Sequence, residues 1–318
     1  MRIILTGITG NLGSELARQL LREKNEVIPI IRSDDVETAT GRLRVVLGKD
    51  AEDIKNILLG DLEKECPQID NLTDVDCIVN AAGVVHFKES RGRNAAIANN
   101  VLKMAEKLHV PFYHVSTAFV WKPKDGAPSR NDYEKDKQTA EEIVMSASVP
   151  WCIVRPSILT GETQTGVITN FTGYYMVIRA FLSAVSHSVA VIRFPFLTGR
   201  VNMIPDDLAA GEIIELVHGQ AKGIYFVANG ITTPAQFALE KGLNFFGIDR
   251  NVSFVKCSME EYEKIDLTSV ERRLFDFIQN FQPYWEGEQE FPDKENSPRF
   301  EITGQYLEKI LSYAGSRW

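Results

Sequence analysis

Tyr133 and Lys137 stand four residues apart in Tyr133-Glu134-Lys135-Asp136-Lys137, a spacing that puts both side chains on one face of a helix. A phenol titrates ordinarily at about 10, and a neighbouring ammonium favours its anion, so the pair can pass a proton near neutrality. Two exposed side chains on a charged helix are the alternative. Upstream, His114-Val115-Ser116-Thr117 is an apolar run that ends in hydroxyls. A strand ending there would present Thr117, preferred over Ser116, to a carbonyl held beside Tyr133; satisfying the local backbone is its other role.

A second cluster, Thr6-Gly7-Ile8-Thr9-Gly10-Asn11-Leu12-Gly13, joins an apolar run to an amphipathic segment. A dinucleotide's phosphates need backbone N–H groups at a helix N-terminus and no side chains in their path. Glycines at 7, 10 and 13 meet both needs, with Thr9, Asn11 and Leu12 completing the cofactor-facing turn. The spacing is TGxxGxxG rather than GxGxxG, and a plain strand-to-helix turn is the alternative. Arg32 follows 19 residues after Gly13, where NAD-binding chains usually carry an acid for the ribose 2′-hydroxyl. A planar cation suits a 2′-phosphate, which favours NADP(H), while Asp34 and Asp35 keep NAD(H) admissible. Asp61 in LLGDL, with Leu62 beside it, is assigned to the adenine end. Ala81, Ala82 and Gly83 let the chain pass close to the cofactor, or let a helix pack tightly.

The elements that must position these groups are legible as apolar runs at 2–6, 26–31, 54–60, 75–80, 111–116 and 151–155, separated by helical patterns. That alternation predicts an α/β fold, a doubly wound parallel (Rossmann) sheet covered on both faces. In the helix from Leu12 to Arg22, Leu12, Leu16, Leu20 and Leu21 form the apolar stripe and Glu15, Arg18 and Arg22 lie off it. Residues 1–160 form the expected NADP-binding domain. Residues 161–318 form a smaller C-terminal lobe, mostly substrate-binding, from which a strand near 223–228 returns to the sheet. Its Tyr174, Tyr175, Phe181, Phe194 and Phe196 line an acyl or aromatic pocket or build core. Residues 284–298 read as an acidic surface loop before a last helix, Gly304 to Tyr313.

Composition narrows the partners. A net charge of -8 without a long Lys/Arg block argues against nucleic acid and anionic membrane, and the N-terminal apolar run is too short for a signal or spanning segment. Cys66, Cys77, Cys152 and Cys257 show no CxxC and read as reduced thiols, which points to a cytoplasmic setting. His86, His109, His114, His187 and His218 form no metal motif, so no metal is expected. A homodimer is compatible with the chain.

In their order across residues 1–165, TGITGNLG, LLGDL, NAAG, HVSTAFV, YEKDK and CIVRPSILTG resemble the extended short-chain dehydrogenase/reductase family. Asn80 to Phe87, HVSTAFV and VNMIPDDLAAGEI are similar to the branch of thioester reductases and fatty acyl-CoA reductases. The resemblance implies Thr117, Tyr133 and Lys137 as catalytic hydroxyl, acid and ribose-holding base-tuner. It implies Asn94 as the helix asparagine that supports a relay water, and Arg155, Pro156 and Ser157 beside the nicotinamide, with Pro156, Ser157 and Ile158 counted among the cofactor-binding residues. The activity implied is NADPH-dependent reduction of a carbonyl or thioester, free or bound to CoA or a carrier. Sugar-nucleotide epimerases and dehydratases use the same Tyr/Lys pair with NAD, and a non-catalytic NADP-sensing module is a third reading. The chain departs from the branch at Asn80, where a histidine is usual, after Asn94, where Gly-Thr is missing, and in Val120-Trp121-Lys122, which lacks a glycine. Only 15 residues separate Thr117 from Tyr133.

Overall fold

The computed structural model describes residues 1–85, 87, 90–122, 128–292 and 297–318. Along the chain come β1 (Arg2–Thr6), α1 (Asn11–Arg22), β2 (Glu26–Ile31), α2 (Val36–Leu47), β3 (Leu58–Leu59), β4 (Cys77–Asn80), α3 (Arg93–Leu108), β5 (Phe112–Val115), α4 (Asp132–Met145) and β6 (Trp151–Pro156). Next are β7 (Ile158–Thr160), α5 (Tyr174–Ser186), β8 (Ile192–Pro195), β9 (Arg200–Val201), β10 (Met203–Pro205), α6 (Asp206–His218) and β11 (Gly223–Val227). The chain ends with β12 (Thr233–Pro234), α7 (Ala235–Phe245), β13 (Val252–Val255), α8 (Met259–Glu263), α9 (Ser269–Ile278) and α10 (Gly304–Gly315).

These elements form two units, Met1–Ser157 with Asp206–Val227, and Ile158–Pro205 with Ala228–Trp318. In the first, an all-parallel sheet runs in the order β11-β6-β5-β4-β1-β2-β3. Strand order reverses between β1 and β4, and a doubly wound sheet opens its ligand crevice at such a point. The strands are near-continuous apolar runs because helices cover both faces. On one face Ile4, Ile28, Ile78, Phe112 and Ile153 pack with Ile97, Val101 and Ala105 of α3 and Ala140 and Val144 of α4.

Three details differ from the sequence pattern. The run 54–60 yields only the two-residue β3, because Ile54 N–H closes a preceding 3₁₀ turn on Ala51 O. Glu15 is buried, where α1 packs on α6, and bonds with Arg18 and Gln19. Helix α6, as well as β11, belongs to the first unit.

In the second unit, β7 pairs with β10, β9 with β12 and β8 with β13. Tyr174, Tyr175, Phe181 and Phe194 are buried core, with Phe181 edge-on to Phe194, whereas Phe196 is exposed. His86 and part of the 284–298 segment lie outside the described residues. Among the described residues no helix is long and apolar enough to cross a membrane.

Candidate active site

The turn after β1 is held so close to the chain leaving β4 that side chains are excluded. Gly7 has φ +70°, a Cβ there would overlap the Ala81 carbonyl, and one on Gly13 would overlap the Gly7 carbonyl. Gly10 N–H closes the turn on Gly7 O at 2.8 Å, and no side chain caps α1. An uncapped helix N-terminus behind a glycine turn is a cradle for phosphate.

Beneath it a buried polar chain crosses three strands. Thr6 Oγ1 accepts from Ala82 N–H at 3.0 Å and donates to Asn80 Oδ1 at 2.6 Å. That fixes the Asn80 amide so that its Nδ2 donates to His114 Nδ1 at 3.0 Å. His114 is therefore the Nε2–H tautomer, and burial, with the Lys137 charge adding to it, holds its pKa well below the usual value.

Arg32 follows β2 with 65% of its side chain exposed, 3.5 Å from Glu63 Oε1. Glu63 is gripped more tightly by Arg93, through two bonds of 2.7 Å that hold its carboxyl below the ordinary range. Asp35 is occupied as the N-cap of α2, accepting from Thr38 N–H at 2.7 Å and Thr38 Oγ1 at 2.8 Å. Asp61 Oδ1 accepts from Glu63 N–H at 3.2 Å, and Leu62 is buried.

The hydroxyl and amine groups meet where β5 ends. Asn131 caps α4 by accepting from Glu134 N–H at 2.9 Å, which sets Tyr133 and Lys137 in the first turns. Lys137 is buried and donates from Nζ to Val115 O at 3.0 Å. Burial lowers its pKa to about 8, opposed by the charges of Glu141 and Asp136. The Tyr133 ring lies edge-on to Phe87 at 6.3 Å. Burial pushes the phenol up to about 12, with the Thr117 side chain opposing. Desolvation is the largest of these influences and favours the protonated phenol.

Gly83 joins the two ends, because a Cβ there would lie 2.9 Å from Asn94 Oδ1 and 3.0 Å from Lys137 Nζ. Asn94 is buried, its side chain bonded to both main-chain groups of Val84, at 2.8 and 3.1 Å. Pro156 ends β6, and Ser157 follows with its N–H on Val227 O at 3.1 Å. Ile158 opens β7 in the second unit.

A family model for NAD dependent epimerases/dehydratases matches residues 3–189. The chain belongs to that family. It is accordingly an NAD(P)-dependent enzyme of the extended short-chain dehydrogenase/reductase type. A hybrid PKS-NRPS synthetase of Acremonium sp is 26% identical over 243 residues, which are 67% of this chain and 5% of that protein. The chain thus spans a small part of this curated relative. Among solved structures it resembles the terminal R domain of the myxalamid PKS-NRPS pathway, with TM-score 0.76 and 20% identity over 99% of this chain and 91% of that one. UDP-N-acetylglucosamine 4-epimerase from Bacillus cereus gives 0.56 and 18% over 88% and 99%. These likenesses establish the fold.

The residues present fit the family's dinucleotide. The cradle admits no Cβ at Gly7 or Gly13, and Ser116 Oγ and Ser157 Oγ are buried with no hydrogen-bond partner among the described residues. Buried hydroxyls left so are costly unless a ligand satisfies them. Sequence reasoning missed His114, Glu134 and Asp136. Glu134, fully buried, collects Lys122, Arg130 and the Arg130 N–H, tying the segment after Thr117 to α4. An acid on each side of Lys135 in a helix that already carries the Tyr/Lys pair was the available signal.

Proposed function

We propose that this chain is an NADPH-dependent reductase of an acyl thioester, presented on CoA or on a carrier protein, and of the aldehyde derived from it. The observation that carries the reading is the placement of Tyr133 one helical turn before Lys137 on α4, with Lys137 Nζ fixed on the Val115 carbonyl where β5 ends. When bound, the coenzyme supplies hydride.

Thr117 and Tyr133 would hold the carbonyl oxygen, with its carbon about 3 to 3.5 Å from the donor. As charge grows on that oxygen Tyr133 gives up its proton, which suits a phenol that burial keeps protonated. The resulting hemithioacetal collapses to aldehyde, and the C–S bond breaks to release thiol. Lys137 holds the ribose and stabilises the tyrosinate until it is reprotonated, while Asn94 supports the relay water. Gly7, Thr9, Gly10, Asn11, Leu12 and Gly13 take the pyrophosphate, Arg32 the 2′-phosphate, Asp61 and Leu62 the adenine. Ala81, Ala82 and Gly83 would pass close to the coenzyme, with Arg155, Pro156 and Ser157 beside the nicotinamide. Likeness to an R domain over nearly the whole chain supports reduction over epimerisation.

NADPH consumption is followed at the nicotinamide band with acyl-CoAs, carrier-bound thioesters, aldehydes and ketones. Tyr133→Phe should lower turnover by about tenfold to a hundredfold with NADPH still bound, and unchanged turnover refutes the assignment. The family model also covers epimerases and dehydratases; a stoichiometric, non-exchanging NAD in the purified protein would favour that class.

A further inference from the structure

Helix α3 begins at Arg93 after Gly92, which has no side chain to cap it. Asp136 of α4 does this from a neighbouring helix. Its Oδ2 accepts from Asn94 N–H at 2.9 Å and its Oδ1 from Ala95 N–H at 3.2 Å. A carboxylate there satisfies two otherwise orphaned donors and lies at the positive end of the helix dipole. Oδ2 also accepts from Asn94 Nδ2 at 2.9 Å, so one buried side chain holds both the backbone and the amide of Asn94.

Asn94 passes that constraint on. Its Oδ1 takes the Val84 N–H at 2.8 Å and its Nδ2 gives a second proton to Val84 O at 3.1 Å. The clamped turn contains Gly83, which lies between Asn94 Oδ1 and Lys137 Nζ. The same stretch includes Ala81 and Ala82, which lie against the glycine turn of β1.

We propose that Asp136 is a positioning residue: through Asn94 it locks the Gly83–Val84 turn beside Lys137, so that the cofactor-facing loop and the ammonium keep one geometry. This rests on the reading that Tyr133 and Lys137 carry the chemistry. Asp136 touches neither reacting atoms nor coenzyme; its effect travels by hydrogen bonds and by charge. Facing Lys137 are Glu141 and Asp136 on its own helix, His114 and the Val115 carbonyl on β5, and Asn94 on α3.

The test uses the whole chain with Asp136→Asn, Asp136→Ser, Asn94→Ala and the double variant Asp136→Asn/Asn94→Ala. Asparagine keeps the shape but loses an acceptor and the charge; serine can still accept as a cap. In Asp136→Asn, kcat should fall about tenfold with KM for the thioester nearly unchanged, and its alkaline limb should move to lower pH because an anion beside the ammonium is gone. Asp136→Ser should recover part of kcat and stands in if the asparagine variant fails to fold. The double variant should lose less than the two single losses combined, since both changes break the same hydrogen-bonded connection. By hydrogen exchange the Asn94 and Ala95 amides should lose protection while β5 retains its own. Unmoved kcat and pH limb in a folded variant, or additive losses in the double variant, overturn the proposal. An inert parent enzyme overturns the functional reading alone; exchange at Asn94 and Ala95 then upholds or overturns the clamp.

Discussion

Lys137 Nζ donates to the Val115 carbonyl across 3.0 Å, pinning the ammonium of α4 to the end of β5. Because burial lowers this lysine from 10.5 to about 8, it loses its proton well before a free lysine does. kcat/KM for NADPH, which reports the free enzyme, should therefore decline through an alkaline limb with an apparent pKa near 8. A profile flat up to about pH 10, where free lysine titrates, would contradict this.

Arg32 is the one side chain proposed here to meet a 2′-phosphate, and its contact with Glu63 at 3.5 Å is a weak exposed pair that a phosphate can replace. Arg32→Ser should cut kcat/KM for NADPH by about tenfold to a hundredfold, as expected for a lost charged hydrogen bond, and leave NADH within about threefold. Steady-state kinetics with both coenzymes decides it; equal losses would place the phosphate elsewhere.

Gly13 is packed against the Gly7 carbonyl with no room for a methyl group. Gly13→Ala must displace the turn, at about 1 to 3 kcal/mol for such overpacking. Coenzyme affinity measured by fluorescence titration should drop at least about tenfold with a lowered melting temperature. Native affinity in this variant would show that the turn does not seat the pyrophosphate.

Asp206, 3% exposed, sits near Glu15, and one of its oxygens has no partner among the described residues. Burial, with the charges of Glu15 and Asp207, pushes it from 3.8 up to about 9. The unfolded chain sheds this proton at the lower value and the folded one keeps it. Its contribution is thus fully present below 3.8 and lost as pH rises towards 9. Asp206→Asn should raise the melting temperature at pH 8 by roughly 2 to 4 °C, the equivalent of about 1 kcal/mol, and change it little at pH 4. Calorimetry at both values checks the sign.

Much of the first unit is legible in the sequence because its signals are local. The runs 2–6 and 26–31 are strands to the residue, since buried parallel strands are uninterrupted apolar stretches between turn formers. The Tyr133/Lys137 spacing is likewise a property of one helix. What escaped depends on pairs distant in sequence. Glu15 looks like a solvated helix residue until α6 covers it, and Asp136 like one more charge in YEKDK until α3 brings two amides to it.

Strand β11 pairs with β6 only after the chain has built β7 to β10 elsewhere. During synthesis, β6 therefore emerges with an open edge and waits through residues 157–222 for its neighbour. A fragment ending at Pro205 would keep the glycine turn and the Tyr/Lys helix yet present Trp151–Pro156 as a template for self-association. Expression trials of the first unit should accordingly retain 206–227.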